Sequence, residues 1–140
     1  GFTDWTAENS FLRQHFQPQV ILETSEKAFY DYFIRQEIKI DYLHIDAGHS
    51  YENVKEDFEL YSQILSPNGI ISIHDTDPNY ADSYIVTNEV KDRGDFDDWT
   101  GPIQLAKEID TTKWQVFDLF NFGIIKNKPA STGLTLVKRK

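Results

Sequence analysis

Two short stretches concentrate the side chains that could do chemistry: His44-Ile45-Asp46-Ala47-Gly48-His49-Ser50-Tyr51 and His74-Asp75-Thr76-Asp77. Each ends a run of apolar, β-branched residues, so each is a turn at the end of a predicted strand. Carboxylates and imidazoles together can hold a proton near neutral pH or bind a hard cation. If the two runs are neighbouring strands, Asp46 and Asp75 stand about 5 Å apart at one sheet edge. The alternatives are structural. A strand-terminal aspartate can simply cap loop amides, and His44 falls inside its strand by period-two counting, which makes it a packing residue. His49 differs, because it sits in the turn itself behind a glycine that permits close backbone approach. His74 and Asp75 stand between the two readings, and Asp77 leans towards the structural one.

These turns need elements to hold them. Ala28, Phe29, Tyr32 and Phe33 recur at helical spacing behind Thr24-Ser25, predicting a helix from about 25 to 36. Residues 38–46 read as a strand buried on both faces. Ser50 is a predicted N-cap for a helix whose apolar stripe is Val54, Phe58, Tyr61 and Leu65, with Ser66-Pro67-Asn68-Gly69 as its stop. Ile70 to Ile73 is a second buried strand, and strand, helix, strand at this spacing is a βαβ unit with parallel strands. Upstream, 19–23 is a predicted strand and 6–16 a predicted helix with Phe11, Leu12, His15 and Phe16 on one side. Downstream, Gly101-Pro102 opens a helix bearing Ile103, Leu105, Ala106 and Ile109, while 114–120 and 134–137 read as strands that can pair antiparallel at the sheet edge. Asp92, Asp95, Asp97 and Asp98 read as a solvated loop, and Trp5, Trp99 and Trp114 as packing residues.

Composition narrows the classes. One domain over residues 1–140 is expected at this length. The formal charge of −9 repels phosphate backbones and anionic lipid over a Debye length of roughly 8 Å, which argues against nucleic acid or membrane as partner. No apolar run approaches the about 20 residues needed to span a bilayer, and no targeting signal is present at the start. With no cysteine, disulfides, thiolate zinc sites and cysteine nucleophiles are excluded, and a cytoplasmic setting fits. The chain also contains no methionine.

The block from Ile40 through Asp46-Ala47-Gly48-His49-Ser50-Tyr51-Glu52 and Asp57 to Leu65-Ser66-Pro67-Asn68-Gly69 and His74-Asp75 resembles the fourth-to-fifth strand region of class I S-adenosylmethionine-dependent methyltransferases. It is most similar to the branch that includes sugar and macrolide O-methyltransferases and cephalosporin-hydroxylase-like proteins. The ending Gly133-Leu134-Thr135-Leu136-Val137-Lys138-Arg139 is similar to that family's last strand. The resemblance implies an α/β, Rossmann-like, mostly parallel sheet of order 3-2-1-4-5-7-6, with an antiparallel C-terminal pair and the seventh strand between five and six. It implies S-adenosylmethionine as cofactor, with Asp46, Ala47 and Tyr51 on the cofactor side, Asp46 at the methyl-donor end and His49 as base for a substrate hydroxyl. Macrolide-branch relatives hold Mg²⁺ with carboxylates from these strand ends, which makes Asp46, Asp75 and Asp77 candidate ligands. Those relatives carry a second acidic residue where Gly48-His49 stand here.

The family's glycine-rich turn after strand one has no counterpart, because the glycines at 1, 48, 69, 94, 101, 123 and 133 are all isolated. On the family's map Gly1 falls just after strand two, so N-terminal strands are expected to be missing. Strand four would then expose an edge that calls for a longer natural protein or pairing with another chain, such as a homo-oligomer. The leading expectation is methyl transfer to a hydroxyl or amine of a small polar acceptor such as a sugar, selected by residues 79–100. The alternatives are a non-catalytic interaction module and a divalent-metal enzyme using Asp46, His49, His74, Asp75 and Asp77.

Overall fold

The computed structural model describes residues 19–79, 100–120 and 132–140, together with the backbone of two short strands at 124–125 and 128–129. The predicted 6–16 helix, the 92–98 loop, Trp5, Trp99 and positions 80–99 of the expected selectivity segment lie outside the described residues.

Helix α1 (Ser25–Ala28) is capped by Thr24, whose Oγ1 accepts from the Lys27 backbone N–H at 3.4 Å. It runs on as a π-helical segment, Phe29–Ile34, rather than as α-helix to residue 36. The widened segment points Phe29 and Phe33 at Tyr61, at ring-centroid distances of 5.4 and 5.3 Å in edge-to-face contact. Strand β1 (Ile40–Ile45) follows, and helix α2 (Tyr51–Ser62) starts at Ser50, whose Oγ accepts from Asn53 N at 3.3 Å. The inner face of α2 buries Val54, Phe58 and Tyr61 as predicted.

Strand β2 (Leu65–His74) includes the Ser66-Pro67-Asn68-Gly69 stretch expected to end the helix. The helix stops earlier, and these residues bulge out of the ladder: Ile40 pairs with Leu65, whereas Tyr42 pairs with Ile70. A proline cannot donate to a ladder, which is why the irregularity falls there. Residues 19–23 are not a strand. The described sheet offers them no partner, and an isolated strand satisfies none of its backbone groups.

Helix α3 (Gly101–Glu108) opens on Gly101-Pro102, and strands β3 (Trp114–Leu119) and β6 (Leu134–Arg139) flank a small hairpin, β4 (Ile124–Ile125) and β5 (Lys128–Pro129), that the sequence did not signal. The main sheet has four strands in the order β1-β2-β6-β3. β1 and β2 are parallel, while β6 is antiparallel to both of its neighbours, β2 and β3. The last strand is therefore inserted between its predecessors, as the resemblance implied.

One sheet face, carrying Ile45, Ile71, Ile73 and Val137, packs on Val54, Phe58 and Leu105. Trp114 joins this core, 5.5 Å from the Phe58 ring, with the Arg139 guanidinium over its other side. Among the described residues no element covers the opposite face, where Tyr42 on β1 and Phe117 on β3 are 60% and 56% exposed. Among the described residues no helix is long and apolar enough to cross a membrane.

The two faces predict different responses. Ile73→Ala should cost about 2–5 kcal/mol, because Ile73 is wholly enclosed. Phe117→Ala should change stability by no more than about 0.5 kcal/mol. Urea denaturation of both variants checks the contrast, and equal losses would contradict the assignment of the core face.

Candidate functional site

The parallel register aligns His44 with Ser72 and Ile45 with Ile73, so the two chemistry-bearing turns leave the sheet side by side at its C-terminal edge. Asp75, the first residue past β2, has a φ of +61°, which turns its side chain back over the strand ends. Its backbone N–H donates to the Gly133 carbonyl at 3.0 Å, and that of Asp77 to the Thr132 carbonyl at 3.0 Å. Gly133, with φ +88°, has to be glycine: a Cβ there would lie 2.3 Å from the Asp77 nitrogen.

Asp75 is 6% exposed at its side chain and lies between two histidines. His49 Nε2 is 2.7 Å from Asp75 Oδ2, in hydrogen-bond geometry. On the other side, His74 Nδ1 is 2.9 Å from Asp75 Oδ1 and 3.4 Å from Asp46 Oδ1. Those contacts have ion-pair length, but neither carboxylate lies along a good hydrogen-bond direction from the ring. Burial pushes the Asp75 carboxyl up, yet hydrogen bonds with His49 and Thr132 and the close His74 imidazole outweigh it and hold Asp75 well below the usual carboxylate range. The contact with Asp75, opposed by burial and aided by the charges of Asp75 and Asp46, raises His74 above its ordinary value.

The structure thus brings Asp46, His49, His74 and Asp75 together. One ligand atom from each of Asp46, His74 and Asp75 falls within 4.8 Å of the others. Asp77 is not in this group. It is fully buried, with Oδ1 accepting from Asn79 N at 2.8 Å. His44, expected to be a packing residue, is instead exposed on the open face; its Nδ1 is 2.7 Å from Ser72 Oγ, and Tyr42 OH meets the same hydroxyl at 2.7 Å. Tyr51 donates its hydroxyl to Glu108 and so ties α2 to α3.

Beside the turn, Ala47 and Gly48 line a cleft of about 360 Å³, with Thr24, Ser25, Glu26, Asn53, Glu56 and Asp57 as its other walls. Only Ala47 of these was expected at a site. Thr24 and Ser25 read in sequence as a helix start, and the cleft forms because α1 begins where β1 ends, which pairwise spacing cannot reveal. Burial pushes the Asp57 carboxyl up, with a hydrogen bond from Ser25 opposing it. Gly101 seats the catalytic turn. Its N–H donates to the His49 carbonyl at 3.1 Å, and a Cβ would lie 2.4 Å from both that oxygen and the Tyr51 nitrogen.

Residues 2–76 match a family model described as a methyltransferase domain. The uncharacterized protein y4gI of Sinorhizobium fredii (strain NBRC 101917 / NGR234) is 40% identical over 42 residues, which make up 30% of this chain and 5% of that protein. In structure, the chain resembles a Staphylococcus aureus protein assigned as a caffeoyl-CoA O-methyltransferase, with a TM-score of 0.58 and 19% identity over 91% of this chain. The match covers 55% of that solved chain, so this chain spans about half its length. At that identity the likeness establishes the fold, a Rossmann-like one of methyltransferase type.

The two shifts give opposite pH signatures. A raised histidine stabilises fully below its unfolded value, about 6.5, and its contribution is lost as pH rises through the folded value. A depressed carboxylate stabilises above about 3.9 and loses its contribution only as pH falls through its lower folded value. Melting temperatures of wild type and His74→Gln should therefore differ most at about pH 5–6 and converge towards about pH 9. A difference independent of pH would show that His74 acts only by packing.

Proposed function

The chain belongs to the methyltransferase domain family, and from that membership we propose that it contributes the catalytic strand ends of an S-adenosylmethionine-dependent transfer of a methyl group to a hydroxyl, or an amine, of a small polar acceptor such as a sugar. The observation that carries this reading is the His49–Asp75 pair, at 2.7 Å, on adjacent strand ends beside an open cleft.

When bound, S-adenosylmethionine would supply an electrophilic methyl on a sulfonium centre, and in-line displacement asks the protein mainly to align reactants and accept one proton. With Nε2–H donated to Asp75, the basic lone pair of His49 is on Nδ1, which takes the acceptor's proton. Asp75, ionised across the physiological range, fixes that tautomer and stabilises the imidazolium once the proton has moved. Asp46, half-exposed at the mouth, orients the acceptor hydroxyl or faces the sulfonium.

The residues present fit the donor's uncharged and cationic parts. Glu26, Glu56 and Asp57 around the cleft suit a sulfonium, ribose hydroxyls and an exocyclic amine, all of them cationic or hydrogen-bond donors, and repel the donor's own carboxylate. The sequence contains no glycine-rich turn for the carboxylate-bearing arm, so the chain offers one side of the cofactor site. A cytoplasmic setting, with a small molecule as partner, goes with this reading.

Calorimetric titration of S-adenosylhomocysteine into the 140-residue chain, and into the longest natural reading frame containing it, tests the assignment. Binding is expected in the longer form; binding by neither would sink the methyltransferase reading. In a form that turns over, His49→Ala should lower kcat by about 10²–10⁴-fold with cofactor affinity unchanged. A parallel loss of affinity with the fold intact would make His49 a binding residue instead of the base.

A further inference from the structure

We propose that the ring of His74, lying between the carboxylates of Asp46 and Asp75, joins them so that this site works without a divalent cation. The functional half of this proposal rests on the methyltransferase reading, whereas the ion-binding half does not. Mg²⁺ asks for near-octahedral oxygen ligands at about 2.0–2.1 Å. The three carboxylates that the strand ends could offer do not provide them. Asp75 spends Oδ2 on His49 at 2.7 Å and has Oδ1 2.9 Å from His74 Nδ1. Asp77 is buried outside the Asp46–His74–Asp75 group, with Oδ1 held by Asn79 at 2.8 Å and Oδ2 enclosed without a hydrogen-bond partner. Only Asp46 remains adjustable, with Oδ1 3.4 Å from His74 Nδ1 and Oδ2 3.9 Å from His44 Nε2. Ala47, Gly48 and His49, which follow Asp46 in the turn, offer no further carboxylate oxygen.

Between the two acidic side chains lies an imidazole nitrogen, itself buried and without a directed hydrogen bond. An N–H shared at ion-pair length by two carboxylates does what a cation would do there: it offsets their mutual repulsion and fixes their spacing. The far nitrogen of the ring, 3.4 Å from Thr132 Oγ1, holds the ring from the β6 side. His74 is in these terms a positioning residue acting through Asp75 on His49.

The test uses Mn²⁺, whose electron paramagnetic resonance signal is lost on binding, and which accepts both carboxylate and imidazole ligands. Wild-type protein should leave the Mn²⁺ signal unchanged at equimolar, sub-millimolar concentration, and chelator treatment should not alter its affinity for S-adenosylhomocysteine. His74→Asp, which removes the ring and restores an oxygen ligand, should bind Mn²⁺ at least about tenfold more tightly than wild type. Stoichiometric Mn²⁺ binding by wild type that is abolished in Asp46→Asn would overturn the proposal, as would a folded His74→Asp variant that gains no affinity. If His74→Asp does not fold, the wild-type Mn²⁺ titration decides alone. Failure of wild type to bind S-adenosylhomocysteine would count against the methyltransferase reading, with the Mn²⁺ result standing independently.

Discussion

The site depends on one buried carboxylate. Asp75 is nearly enclosed, and an enclosed carboxylate stays ionised only if donors replace the water it has lost. Here that role falls to the His49 imidazole and Thr132 by hydrogen bonds and to the His74 ring at ion-pair distance, drawn from the β1 turn, the approach to β6 and the β2 end. Because each donor comes from a different element, satisfying this single charge fixes the mutual position of three chain segments. The left-handed backbone at Asp75 is strained for a residue with a Cβ, and the backbone bond from Asp75 to Gly133 helps to hold it there.

The rest of the fold delivers those donors to the right place. Parallel pairing of β1 with β2 brings two C-terminal ends together, which an antiparallel pair cannot do. Inserting β6 antiparallel beside β2 brings the start of β6, with Thr132 and Gly133, to that same edge. Helix α3 contributes through Gly101, whose missing side chain lets the helix start press directly on the His49–Tyr51 turn. The apolar core beneath, centred on Ile71, Ile73 and Val137, supplies the stability that the ionised site costs.

Much of this was legible in the sequence because the relevant signals are local. Ser50 as a cap, Gly101-Pro102 as a helix start and Ile70 to Ile73 as a strand are short-range patterns, and each is found where expected. The two strand-end turns could be picked out by residue type, and their convergence followed from the βαβ rule. What the sequence hid depends on the third dimension. The bulge at Ser66–Gly69 reflects a mismatch between the β1 and β2 registers, and residues 19–23 have strand-like composition but no strand to join. His44 looked internal by its periodicity, yet it is exposed, and the sequence did not show that the turn after β2 encloses Asp77. The hydrogen bond from the Tyr51 hydroxyl to Glu108 was also hidden, because its partner lies 57 residues away.

The division of labour on the two sides of β1 bears on what such a chain can do. Methyl transfer separates into holding the donor and managing the acceptor's proton, and the second task needs only a base, its orienting carboxylate and a mouth that admits the acceptor. His49 and Asp75 lie on the turns that follow β1 and β2, and their geometry is fixed by contacts within the described residues. The cleft at Ala47–Gly48, walled by Glu26, Glu56 and Asp57, adds an acidic surface next to the same turn. The placement of His49 and Asp75 against one another is therefore built into the pairing of β1 with β2 and of β2 with β6.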